Sequence, residues 1–263
     1  MEIAGYIASL FIGVSLGLIG GGGSILTVPV LVYLFGISPA LGISYSLLVV
    51  GFTSLVGAFN NYRKGLVNFK TALLFGSASI TTVFITRKFI IPLVRDVVFK
   101  IGSLTLTYSL LVMVVFAILM LAASVAMIRS KKKIVDENIT SKKQPVLLLV
   151  YGILIGAVTG FLGAGGGFLL IPALVILMKL PMKEAIGTSL LIISLNSLIG
   201  FVGDIGRYSI DWKFLSTITT IAIAGVFIGG FFNQKVNAEK LKNGFGWFVL
   251  VMGIYILVKE IFL

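Results

Sequence analysis

Apolar residues run along this chain in long blocks, at 3–35, 40–59, 69–86, 103–128, 146–178, 185–203, 214–232 and 244–262, with short polar or basic stretches between them. Several blocks reach the ~20 residues that a helix needs to cross about 30 Å of hydrocarbon. None alternates with the period of two that a barrel strand requires, and in lipid a backbone finds partners only inside a helix or a closed barrel. The blocks therefore predict an all-α, polytopic membrane protein. The first block would be ~50 Å long as one helix, too long for a simple span. Glycines at its centre divide it into 3–19 and 24–35, either as a hairpin or as two spans. It has neither the basic start nor the small-x-small end of a cleavable signal, and reads as mature structure.

Composition sharpens this picture. The 263 residues are 58% apolar and 11% charged, whereas a soluble domain covers itself with roughly a quarter charged residues. The outer surface must therefore be wetted by lipid. There is no Cys and no His, which excludes disulfides, thiol chemistry, zinc or haem sites on those ligands, and any triad built on them. No cofactor and no metal are expected, and an enzyme would have to rely on Lys, Tyr and loop carboxylates such as Asp204.

The net charge of +12 is concentrated where Arg129, Lys131, Lys132, Lys133, Lys142 and Lys143 cluster. This reads as a cytoplasmic loop obeying the positive-inside rule. No aromatic residue lies between Arg129 and Lys143 to stack on bases, so a nucleic-acid partner is not expected.

That basic loop joins two copies of one unit. A gapless shift of 143 residues lays Gly13–Gly20 on Gly156–Gly163, Gly22 and Gly23 on Gly165 and Gly166, and Pro29 on Pro172. It also pairs Ser46 with Ser189, Ser54 with Ser197, Lys64 with Arg207, Asn68 with Asp211 and Lys70 with Lys213. Eighteen of the 58 positions from 13 to 70 are identical. The expected organisation is a first transmembrane repeat 1–128, a basic cytoplasmic linker 129–145 and a second repeat 146–263. Each repeat holds five elements, in the first 3–19, 24–35, 40–59, 69–86 and 103–128. An odd number inverts the second half. With the linker cytoplasmic, inversion places Lys179, Lys183, Lys235, Lys240 and Lys242 inside and Arg207, Lys213 and Lys259 outside, which the positive-inside rule favours by two charges.

The candidate chemistry lies in the glycine runs. Gly13 and Gly17, with Gly152, Gly156 and Gly160, have the four-residue spacing of helix packing. Gly20, Gly21, Gly22, Gly23 and Ser24, and Gly163, Gly165, Gly166 and Gly167, differ, because consecutive glycines break a helix. A break at membrane depth is tolerated only when it is buried in protein or lines a wet cavity. The helices restarting near Ser24 and Gly167 would present unpaired N–H groups and a positive dipole end, both attractive to anions. Inverted symmetry would bring the two restarts together near the midplane. A purely structural kink is the competing reading. Neither run continues into the lysine of a phosphate loop or completes a dinucleotide fingerprint.

Polar residues on the third element of each half come next. Ser46, Thr188, Ser189 and Asn196 are candidates to meet the anion, with helix–helix glue as the alternative for the hydroxyls. Asn196 is the costliest of them to leave unpaired. Lys64 and Arg207 occupy equivalent positions and could receive an anion at each mouth, or simply snorkel to the interface.

The doubled run from glycines to proline (Gly20 to Pro29, Gly163 to Pro172) resembles the TauE/SafE sulfite exporter family, also called the 4-toluene sulfonate uptake permeases. So do Ala185-Ile186-Gly187-Thr188-Ser189-Leu190 and the helix ends Asn68-Phe69-Lys70 and Asp211-Trp212-Lys213. The resemblance covers nearly the whole chain. It implies a secondary carrier, often an exporter, of sulfite, organosulfonates or related sulfur anions in a bacterial inner membrane, with the glycine-rich motif falling on Gly20 to Ser24 and Gly163 to Gly167. Ala164 stands where Gly21 stands in the first half. A membrane-embedded enzyme and a passive anion channel are the alternative functions. The expected partners are a small sulfur oxyanion and the bilayer, and a homodimer is an open assembly.

Overall fold

The structure, a computed structural model, describes residues 2–94, 97–101, 104–129, 144–163, 165–232 and 238–262. Residues 130–143 of the basic linker, and Ala164 of the second glycine run, lie outside the described residues. Helix α1 (Glu2–Ile19) is followed by a composite rod, α2. It begins as a 3-10 helix (Gly21–Leu26), passes through one α-turn (Thr27–Pro29) and ends π-helical (Val30–Leu34). Then come α3 (Pro39–Arg63) and α4 (Phe69–Leu93). A two-stranded antiparallel hairpin, β1 (Val97–Ile101) and β2 (Leu104–Thr107), leads into α5 (Tyr108–Arg129). After the linker come α6 (Gln144–Leu162), α7 (Gly167–Met178), α8 (Met182–Asp204), α9 (Trp212–Phe232) and α10 (Ala238–Phe262).

The membrane body is helical, as the apolar blocks predict, with two local differences. The block at 103–128 becomes helix only from Tyr108, because Leu104–Thr107 pairs with β1 instead. The block at 69–86 does not end at its basic pair. The helix continues through a π-turn at Thr86–Ile90 to Leu93, so Arg87 and Lys88 lie within it. Five described helices are long and apolar enough to cross a membrane, namely α3, α4, Tyr108–Ala126 of α5, α8 and α9. Large apolar side chains on their outer faces, such as Phe59, Leu73, Phe227 and Phe231, are more than half exposed, a surface that only lipid would cover.

Local sequence explains several helix starts. Pro39 occupies the first turn of α3, where a missing N–H costs nothing. The paired signature Asn68-Phe69-Lys70 and Asp211-Trp212-Lys213 is a pair of N-caps. Asn68 Oδ1 accepts the Thr71 N–H at 3.0 Å, and Asp211 Oδ1 accepts that of Phe214 at 3.0 Å.

Packing repeats under the same 143-residue exchange. On α1, Gly13 and Gly17 lie against the carbonyls of Ala222 and Val226 on α9. On α6, Gly156 lies against the Ser79 carbonyl and Gly160 against Thr86 on α4. The first helix of each half thus packs on the fourth helix of the other, and the absent Cβ atoms let the backbones touch. At the centre α3 packs on α8, with Gly51 beside Leu198, Gly57 beside Leu190 and Gly200 beside Leu47. Rising numbers on one helix meet falling numbers on the other, so these two equivalent helices run antiparallel.

Candidate functional site

Each glycine run turns the chain back on itself. Gly20 has φ +77°, a conformation that L side chains avoid, and α2 then folds back along α1. Gly23 packs on Ser15 and Leu16, and Phe35 at the far end of the returning rod reaches Gly5 and stacks edge-on with Tyr6 at 5.4 Å. The second run is tighter. Gly163, Gly165 and Gly166 each have φ +66°, and Gly166 lies against Thr159 and Ile155 of α6 as α7 begins. In both halves the elements on either side of the run therefore lie side by side.

The two hairpin tips meet. A Cβ on Gly21 would lie 2.6 Å from Gly167 Cα and 2.5 Å from Ile193, and a Cβ on Gly167 would overlap the Gly21 carbonyl. The surrounding contacts again exchange. Gly20 faces Ile186 and Gly163 faces its equivalent, Ile43, while Gly165 faces Val50, Ile193 and Ser197. Of the predicted residues, Gly20, Gly21, Gly163, Gly165 and Gly167 thus converge on α3 and α8. Gly22, Gly23 and Ser24 belong to the first turn of α2 rather than to an open break. Ser24 donates back to the Gly21 carbonyl at 2.8 Å. Among the described residues no side chain caps the start of either α2 or α7, and the first N–H groups of a helix have no acceptors within it.

The hydroxyl candidates divide. Ser46 bridges the halves, donating to the Gly163 carbonyl at 2.5 Å as well as to Ile43 at 3.0 Å. Thr188 accepts the Asn68 N–H at 2.9 Å and ties α8 to the start of α4. Ser189 bonds within its own helix, to the Ile186 carbonyl at 2.9 Å. Asn196 donates to Ser79 of α4 at 2.7 Å, and its Oδ1 is buried without a partner among the described residues. Ser197 and its equivalent Ser54 also have buried, unpartnered hydroxyls. Ser197 would lie 3.4 Å from a Cβ on Gly165, which makes it the free hydroxyl beside the second tip. Lys64 and Arg207 are exposed at opposite ends of the α3–α8 pair. Arg207 is held in place, donating to the Ile91 carbonyl at 3.2 Å and lying 5.3 Å over the Tyr208 ring.

One constellation escaped the sequence reading. Arg87, in the π-turn of α4, is buried and paired with Asp204 at the end of α8, also buried. Its Nη1 reaches the Gly160 carbonyl at 3.4 Å, just before the second glycine turn. By its hydropathy the apolar block closes at residue 86. The missed signal was Phe89-Ile90-Ile91-Pro92-Leu93, apolar again beyond Arg87-Lys88.

The sequence matches the family profile described as Sulfite exporter TauE/SafE over residues 6–256. A probable membrane transporter protein of Xylella fastidiosa strain 9a5c is 29% identical over 95% of this chain and 92% of its own length. The corresponding protein YunE of Bacillus subtilis strain 168 is 25% identical over 97% of both chains. A third, from Haemophilus influenzae, is 27% identical over 98% of this chain and 95% of its own. No solved structure matches.

Proposed function

Because the chain belongs to the TauE/SafE sulfite exporter family, it is a multi-pass membrane transporter rather than an enzyme, and we propose that it is a secondary carrier exporting a small sulfur oxyanion, such as sulfite or an organosulfonate, across a bacterial inner membrane. The two halves, 1–128 and 146–263 around a cytoplasmic linker 129–145, form inverted repeats. Their supporting feature is the antiparallel packing of the equivalent helices α3 and α8. If both cross the bilayer, their directions are opposite, and so are those of the halves that contain them.

The observation that carries the reading is the contact of the two glycine turns, Gly21 on Gly167. Hairpins entering from opposite faces meet there at their tips, as re-entrant elements near the midplane. The uncapped helix starts then face a common point, where N–H groups and helix dipoles favour an anion. Ser197, Ser46, Asn196 and Thr188 line or brace that point. With the tips in contact the site is closed, and rocking of one half against the other separates them to admit the anion alternately from each side.

The test is sulfite flux into proteoliposomes. Saturable flux that Gly165→Leu abolishes is expected, since Gly165 combines φ +66° with Val50 and Ile193 within 2.9 Å of any Cβ. Absence of flux for sulfite and sulfonates alike would sink the reading. Single-channel conductance would replace the carrier by a pore.

A further inference from the structure

We propose a second oxyanion subsite, centred on Arg87 and present at only one end of the molecule, in which Asp204 holds the place of the transported anion until that anion displaces it. The inference rests on the transport reading above and adds to it a residue, a ligand class and an asymmetry.

An ionised pair inside a membrane span is costly and is seldom kept without a use. Here the pair is also incompletely satisfied. Arg87 Nε and Asp204 Oδ1 are both buried without partners among the described residues. So is the hydroxyl of Tyr108, at the start of α5. Each vacant donor, a guanidinium N–H or a phenol O–H, suits an oxyanion oxygen. A guanidinium edge binds such an ion in the fork geometry that Arg favours.

The charges give the valence. Asp204 pairs with Arg87, and the exposed Arg207 follows Asp204 three residues on. Two arginines and one carboxylate leave one positive charge. A monoanion, such as hydrogensulfite or a sulfonate, would cancel it. When that ion takes Arg87, the released carboxylate turns toward Arg207, which a main-chain hydrogen bond from its N–H to the Asp204 carbonyl, 3.0 Å, keeps in the same turn of chain. Arg207 at the surface, Arg87 inside and the glycine turn beyond Gly160 then form a path inward.

The equivalent end has no such site. The 143-residue exchange puts Asn61 where Asp204 stands and Gly230 where Arg87 stands. Gly230 has Asn60 Nδ2 as its nearest neighbour, at 3.5 Å from a built Cβ.

The experiment uses the full chain in detergent, with sodium sulfite or sodium methanesulfonate titrated against its melting temperature, and the same variants in proteoliposome flux. Asp204→Asn should increase the anion-dependent stabilisation, because the internal competitor is gone. Arg87→Gln should abolish it, and Tyr108→Phe should weaken apparent affinity several-fold. The neutral pair Arg87→Gln with Asp204→Asn should fold and show no anion response, which keeps the test usable if the single Arg87 variant fails to fold. Equal responses in the wild type and the neutral pair would overturn the subsite, as would loss on Asp204→Asn matching that on Arg87→Gln. A wild type that responds to neither anion would overturn it too. An anion response that depends on Arg87, without flux, would keep the subsite and remove the transport reading. Flux indifferent to Arg87 would do the reverse.

Discussion

The two ends of the α3–α8 pair share one plan and differ in charge. At the end of α8, Asp204 and Arg87 are buried together and Arg207 sits outside them. At the end of α3, the same places hold Asn61, Gly230 and the exposed Lys64, and Asn61 donates to its own helix at the Gly57 carbonyl, 2.8 Å away. Several packing contacts pair off under the 143-residue exchange, while the electrostatics are one-sided. Duplication explains the first, because a repeat that packs on its own copy keeps the contacts that both copies need. The second arises where such a contact is absent, as around Gly230. In a carrier, this difference does not choose the net direction of flux, which the gradient does. On the proposed reading it sets which face holds the anion more tightly.

The strongest way to break the comparison is to strike what the halves share. Gly21→Leu and Gly167→Leu each drive a side chain into the opposing backbone. Because the obstacle is main chain rather than a side chain that can turn aside, the cost should reach or exceed the upper end of the ~1–3 kcal/mol typical of overpacking. Both variants should lose flux and monodisperse protein to a similar extent, as size-exclusion profiles would reveal. A mild effect from one and collapse from the other would show that the tips are not equivalent.

Next is what the halves do not share. Arg87→Gln leaves a buried carboxylate without its cation, a change that costs about 3–5 kcal/mol when one partner of a buried pair is removed. Asn61→Ala, at the equivalent end, removes one local hydrogen bond worth about 1 kcal/mol. Thermal unfolding of the two should differ several-fold in shift. Grafting sharpens the contrast. Asn61→Asp with Gly230→Arg puts the charged pair at the neutral end, and the two faces should then approach equal apparent affinity when flux is measured from each side.

How much of this was legible in the sequence follows from what each feature depends on. The helices could be read, because lipid allows few solutions, and the doubling is a property of the sequence itself. The N-caps Asn68 and Asp211 were visible as a repeated signature, though their capping role emerged only with the helix starts in place. The placement of Asn196 against Ser79 was not legible, since nothing in a sequence says which helix a face will meet. Arg87 was hidden for a different reason. A basic residue near the end of an apolar block looks like an interfacial anchor, and only the π-turn and the continuation to Leu93 carry it inward.

A smaller effect tests that face-choosing step. Asn196→Leu strands the Ser79 hydroxyl, which is buried, and should cost about 1–3 kcal/mol. Its equivalent Thr53 bonds only carbonyls of its own helix, Val49 at 2.6 Å and Val50 at 3.1 Å. Thr53→Val should therefore unfold within a few tenths of a kcal/mol of the parent, because the carbonyls keep their helical partners. If the two shifts are equal, Asn196 is ordinary packing and its free Oδ1 has no part in the site.

The smallest difference is expected at the mouths. Lys64 and Arg207 are both exposed, so neutralising either should leave stability within about 0.5 kcal/mol of the parent. Their effect belongs to the capture of an anion from water, which screening weakens over a Debye length of about 8 Å at physiological salt. Arg207→Gln should still lower apparent affinity more than Lys64→Gln, by roughly two- to three-fold at low ionic strength. Arg207 is fixed by the Ile91 carbonyl and follows Asp204, the partner of the buried cation Arg87, while at the end of Lys64 the position equivalent to Arg87 is Gly230. Raising the salt should shrink the Arg207 effect without removing it, because Arg207 also receives the carboxylate that the anion displaces. An effect that disappears at high salt would reduce Arg207 to a steering charge and make the two mouths alike in all but the buried pair.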